Sequence, residues 1–76
     1  MNNDRRNAIL IIMSEVSDLI YQVADILNEE KESYHNIPQG LQHSEQTELS
    51  SEAIYKLEYA ISSLKDSFNS LRESFK

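Results

Sequence analysis

Cysteine and tryptophan are absent from this chain of 76 residues, and glycine and proline occur once each. Without cysteine, the chain has neither disulfide bonds nor thiolate metal sites, which are common stabilisers of domains this small. Sheet proteins need turn residues at short intervals, whereas the two strongest breakers here, Pro38 and Gly40, stand together near the midpoint. These absences indicate an all-α chain with one turn.

Long apolar runs and an excess of positive charge are also lacking. The longest apolar run, residues 8–13, has six residues. A spanning helix needs about 20 apolar residues, and a signal peptide needs a longer run behind a positive start. The net charge of −6 argues against non-specific nucleic-acid binding, because affinity for phosphates comes from Lys and Arg. We expect a cytoplasmic protein that does not associate with membranes.

The second half of the chain has an unbroken heptad pattern. Its apolar residues alternate three and four apart, which predicts a helix packed along one seam. They are Ile54, Leu57, Ile61, Leu64, Phe68, Leu71 and Phe75. Small residues recur every seven positions beside this stripe, at Ala53, Ala60, Ser67 and Ser74. Such a column admits a close neighbour, which is either the other arm of a hairpin or a second copy.

The first half has a wider apolar surface than one partner helix covers, since that needs a stripe of about 100°. One stripe consists of Ile9, Ile12, Val16, Leu19, Val23 and Ile26. A second column beside it consists of Met13, Ile20, Leu27 and Tyr34. We expect the stripe to pack within the hairpin and the surplus column to bind another protomer. The predicted oligomer interface is Ile9, Met13, Ile20, Leu27, Ala53 and Ala60.

Turn and capping residues complete the fold prediction. Ile37 precedes Pro38 and must leave the helical conformation. Ser44 can cap a second helix, and Ser50 or Ser51 are later candidates. The sequence predicts one domain, 1–76, with helices at about 3–34 and 44–75 and a loop at 35–43. The fold class is an all-α antiparallel two-helix hairpin that assembles into a homo-oligomeric bundle, a dimer or higher.

Charge is distributed unevenly along this hairpin. Residues 25–52 contain seven acids and one base, which accounts for the whole net charge of −6. We call these acids the acidic end: Asp25, Glu29, Glu30, Glu32, Glu45, Glu48 and Glu52. Antiparallel helices bring the termini together at the other end, so the bases there form a basic end: Arg5, Arg6, Lys65, Arg72 and Lys76.

The basic end is a candidate ligand site. In an oligomer, its side chains could hold a phosphate-bearing ligand, for which Arg offers a bidentate fork, and nearby tyrosines could stack a base. The candidate residues are Arg5, Arg6, Tyr21, Tyr55, Tyr59, Lys65 and Arg72. The alternative is that these bases are solvated, or that they complement the dipole at a helix C-terminus.

Catalytic and metal-binding patterns are missing from the sequence. There is no Gly-rich phosphate loop, no His-Glu-x-x-His and no nucleophile elbow. No acid interrupts either apolar stripe, so no carboxylate has the apolar setting that shifts a catalytic pKa. His35 and His43 have acids nearby, but loop histidines are usually plain surface residues. We expect no enzymatic activity, no cofactor and no metal.

The stretch 29–45, EEKESYHNIPQGLQHSE, carries a resemblance. It resembles the loop of small, largely uncharacterised helical-hairpin proteins encoded by bacteriophages and prophages. The matching residues are Tyr34, Asn36, Pro38, Leu41, Gln42, Ser44 and Glu45. His35 and His43 depart from the pattern, and outside the loop only the general character of the helices matches. The resemblance implies a phage accessory protein, a class whose members often inhibit host defence.

Two functional hypotheses follow. In the first, the chain is a non-enzymatic oligomeric sponge that counteracts host antiviral defence by sequestering a nucleotide signal. In the alternative, its acidic end binds and inhibits a host defence protein. A purely structural helical bundle is a third possibility.

Overall fold

The computed structural model describes residues 1–38, 40 and 44–76. Helix α1 spans Asn3–His35 and helix α2 spans Glu45–Glu73, and the two pack against each other along their length. They run antiparallel: Ser50, near the start of α2, donates a hydrogen bond to Glu30, near the end of α1. The all-α hairpin prediction is confirmed, and the molecule is a rod of 60 × 15 × 13 Å.

Local capping explains where the helices begin. The Asn2 side chain accepts a hydrogen bond from the backbone N–H of Arg5 at 2.8 Å. Ser44 Oγ accepts one from the backbone N–H of Thr47 at 3.3 Å. Such bonds satisfy amides that have no partner within the first turn of a helix. Ser44 is therefore the cap of α2, and the later candidates Ser50 and Ser51 both lie inside the helix.

The end of α1 follows from the residues before Pro38. The Asn36 backbone N–H donates a hydrogen bond to the carbonyl oxygen of Glu32 at 3.1 Å, which completes the last turn of the helix. Proline disfavours the helical conformation of the residue before it, so the helix stops short of Ile37. Two loop residues on which the phage resemblance depends, Leu41 and Gln42, lie outside the described residues, and so does His43.

The contact between the helices is shifted around α1 by one column of residues from the contact that the periodicity suggested. Met13 and Leu27 are each 7% exposed and are the only buried hydrophobic residues among those described. Ile12, Leu19 and Ile26, which were expected to pack against α2, are 45–52% exposed. Met13 and Leu27 therefore take the place expected for Ile12, Leu19 and Ile26, and the prediction was wrong for these residues. The other members of the predicted stripe, Ile9, Val16 and Val23, are half-buried as expected.

The residues that border each possible seam explain the shift. Val16 and Val23 belong to both seams, and both have the same alternating spacing. The expected seam would be bordered by Glu15 and Gln22, whose polar groups would lose water without gaining partners. The observed seam is instead bordered by small side chains such as Ala24, which let α2 approach closely.

Candidate functional site

One face of the hairpin carries a groove between the two helices, which we call the Tyr21 groove. It has a volume of about 370 Å³. Its lining residues are Ser17, Ile20, Tyr21 and Ala24 from α1, and Ile61, Lys65 and Phe68 from α2. A second hollow of about 400 Å³ continues it toward the loop and adds Lys31, Glu58 and Ser62. Lys65 lines both hollows and is therefore the residue that they share on α2 together with Ile61.

Two of the seven candidate ligand residues meet in this groove. Tyr21 and Lys65 come from different helices and line the same hollow. Their spacing along the chain carried no signal of this pairing, because it depends on how the helices are aligned. An aromatic ring beside an ammonium group suits a planar ligand that bears an anionic group, since the ring can stack and Lys can contact phosphate. Glu58 adds a negative charge to the second hollow, so an anionic group would be favoured at the Tyr21 end of the groove.

The other tyrosines lie elsewhere. Tyr55 and Tyr59 are 65% and 67% exposed, and the helical repeat places them on the side of α2 opposite to α1. Tyr55 lines a separate hollow at the acidic end, beside Tyr34 and Glu52. The structure therefore separates both residues from the Tyr21 groove, although the sequence grouped them as one candidate site.

The arginines lie near the termini. Arg5, Arg6 and Arg72 are all exposed. Arg72 Nη2 donates a hydrogen bond to Asn69 Oδ1 at 3.0 Å. At 1.5 Å per residue, Arg5 lies about 24 Å along α1 from Tyr21. One hairpin therefore does not unite these arginines with the tyrosines in a single site.

The acidic end presents its carboxylates to solvent. Every acid of the chain is exposed except Glu30, which is half-buried. Glu30 Oε1 accepts a hydrogen bond from Ser50 Oγ at 2.7 Å, which links the two helices. General acid–base catalysis uses carboxylates desolvated in a cleft, whereas these acids form a solvated surface suited to electrostatic contact with a basic partner.

The side of the rod opposite to the Tyr21 groove carries exposed aliphatic side chains on α1 and small side chains on α2. On α1 it bears Ile12, Leu19 and Ile26, which are seven residues apart, and on α2 it bears the small residues Ala53, Ala60 and Ser67. We call these six residues the aliphatic face. The α1 row and the α2 row lie on the same side of the rod. Ser33 continues the α1 row seven positions after Ile26, Gln46 continues the α2 row seven positions before Ala53, and these two residues line one hollow.

The sequence predicted an apolar column on α1 that α2 leaves uncovered, but it assigned this column to other residues. Met13 and Leu27, expected at an oligomer interface, are covered by α2, and Ile9 and Ile20 are half-buried along the same seam. The signal that could have located the exposed column is the pair of polar residues beside it, Glu15 and Gln22, which are unfavourable inside a hairpin seam.

Metal and membrane features are absent from the part of the chain that the structure describes. No group of three or more His, Asp or Glu residues is arranged to hold a metal ion within residues 1–38, 40 and 44–76. His35 packs edge-on against Tyr34, with ring centroids 6.2 Å apart. Neither described helix contains a stretch apolar enough to cross a bilayer. Comparisons with protein-family models, curated proteins and solved structures found no match to this chain.

Proposed function

We propose that this chain is a non-enzymatic binding protein that works as a homo-oligomer of helical hairpins. The proposal rests on the large solvent-accessible area of the single hairpin. The single hairpin exposes 5906 Å², whereas a compact monomer of its mass exposes about 4,800 Å². The excess of about 1,100 Å² is comparable to the roughly 800 Å² that each partner buries in a stable interface. Its radius of gyration, 17.4 Å, likewise exceeds the roughly 11 Å of a compact domain.

Size-exclusion chromatography with light scattering tests this assembly. At tens of micromolar protein, we expect a mass at least twice the 8.8 kDa of one chain. Circular dichroism of the same fractions should report a helical protein, because two buried hydrophobic residues in the described chain are too few to stabilise a lone hairpin. A folded monomer at that concentration would refute the proposal.

For the ligand, we propose a nucleotide signal of the host's antiviral defence, which the oligomer sequesters in the host cytoplasm. Two observations support this. Tyr21 and Lys65 line one groove, where an aromatic ring and an ammonium group can contact a base and a phosphate. The loop resembles that of largely uncharacterised phage-encoded hairpins, and small phage accessory proteins often inhibit host defence. The exposure of the acids, with Glu30 the one exception, supports binding in preference to catalysis.

Isothermal titration tests the ligand against a panel of cyclic dinucleotides, cyclic trinucleotides and ADP-ribose derivatives. We expect one class to bind, and Tyr21→Ala to weaken it about tenfold, because stacking contributes about 1–3 kcal/mol per base. Lys65→Ala should weaken it similarly. Tyr59→Ala is the matched control, since Tyr59 is exposed on the far side of α2. Flat traces for every compound would contradict the nucleotide proposal and favour the acidic end as the binding surface for a host protein.

A further inference from the structure

The aliphatic face has a regular register along the rod. The hydrogen bond between Glu30 and Ser50 places these two residues at the same level of the antiparallel pair. Counting eleven residues back along α1 and eleven forward along α2 places Leu19 level with Ile61, the residue after Ala60, near the middle of the rod. Ile12 and Ile26 lie seven residues to either side of Leu19. The exposed column is therefore symmetric about the centre of the molecule.

We propose that the aliphatic face binds the aliphatic face of a second copy of this chain, whose rod runs in the opposite direction, to form an antiparallel four-helix bundle. This inference rests on the proposed oligomeric function and specifies its geometry. The two-fold axis is perpendicular to the rod, lies between the two copies and passes the level of Leu19. It packs α1 of one copy against α1 of the other. Leu19 then meets its own counterpart, and Ile12 meets Ile26 of the second copy. Dimers with this symmetry are by far the commonest homo-oligomers.

The polar residues beside the column fit the same arrangement. In this register, Glu15 of one copy lies within one residue, about 1.5 Å along the rod, of the level of Gln22 of the other. A carboxylate that accepts hydrogen bonds is then beside an amide that donates them. The contact occurs twice because of the symmetry. On α2, the small column of Ala53, Ala60 and Ser67 admits the second copy's α2 at close range. Close approach there lets the α1 column make contact as well.

Charge decides between the two possible directions of the second copy. A parallel dimer would place the acidic ends side by side, joining two regions that each carry a net charge of −6. Like charges in apposition disfavour such a complex. The antiparallel dimer separates the acidic ends by the length of the 60 Å rod. It also brings Arg5 of one copy to the level of Ser33 and the acidic end of the other.

The arrangement has a consequence for ligand binding. Both Tyr21 grooves face outward, because each lies on the side of its hairpin opposite to the aliphatic face. The two basic ends lie at opposite ends of the bundle. A ligand site in this dimer is therefore built by one chain around Tyr21 and Lys65, and the arginines of the two copies do not converge.

Engineered disulfides test the direction directly, because the chain has no cysteine of its own. Ile12 and Ile26 lie on one helix about 21 Å apart, too far for a disulfide within a chain, which needs Cα atoms within about 7 Å. The double variant Ile12→Cys/Ile26→Cys should therefore give a covalent dimer after mild oxidation, seen on a non-reducing gel. The control is a refolded mixture of the single variants Ile12→Cys and Ser67→Cys. In a parallel dimer α1 of one copy faces α2 of the other and these two positions lie near each other, so this mixture cross-links between chains only in a parallel dimer.

The outcomes are distinguishable when light scattering is run on the cysteine-free chain. A dimer that cross-links through Ile12→Cys/Ile26→Cys, with no cross-link in the Ser67→Cys mixture, supports the antiparallel geometry. A dimer that cross-links only in the mixture, or in neither sample, overturns the geometry while the oligomeric function stands. A monomer in light scattering overturns both.

Discussion

Leu19→Asp should convert the assembled protein into monomers. In the proposed antiparallel dimer, Leu19 meets its own counterpart on the symmetry axis, so the substitution would place two carboxylates against each other in an apolar contact. A buried charge without a partner costs about 3–5 kcal/mol, and each dimer would bury two such carboxylates, one from each chain. We therefore expect the dimer dissociation constant to rise at least about a thousandfold, measured by analytical ultracentrifugation over a concentration series.

Leu10→Asp is the matched control for this substitution. Leu10 is 49% exposed, close to the 46% of Leu19, and it lies on α1 away from the aliphatic face. We expect it to leave the dimer intact. A 1:1 mixture of Leu19→Asp and Leu19→Lys chains should recover a heterodimer, because opposite charges then meet at the axis. If Leu10→Asp dissociates the protein as strongly as Leu19→Asp, the interface lies elsewhere.

Leu27→Ala should lower the free energy of unfolding by about 2–5 kcal/mol, the usual cost of truncating a buried leucine. Leu27 is 7% exposed and, with Met13, forms the buried part of the seam between α1 and α2. Urea unfolding followed by circular dichroism measures the effect, at one fixed protein concentration because the stability of a dimer depends on concentration.

Ile11→Ala provides the comparison for this truncation. Ile11 is 62% exposed, so removing most of its side chain should change stability by no more than about 0.5 kcal/mol. The pair of variants tests the observed rotation of α1. A cost for Leu27→Ala that does not exceed the cost for Ile11→Ala would show that Leu27 does not lie between the helices.

The sequence by itself determined the secondary structure, because the signals for it are local. The 3-4 spacing from Ile54 to Phe75 is sufficient to indicate a long amphipathic helix. Pro38 ends the first helix by a steric effect on the residue before it. Ser44 has the side-chain oxygen that caps the second helix, and the structure shows that bond. The uneven charge also follows from the sequence once the chain is folded into a hairpin.

Only the tertiary structure decided which side of α1 faces α2, and with it the identity of the candidate surfaces. Two seams on α1 share Val16 and Val23 and have the same period, so periodicity favours neither. The choice depends on the cost of desolvating Glu15 and Gln22, which arises only when a second helix is present. That rotation buries Leu27, exposes Leu19, and brings Tyr21 and Lys65 into one groove.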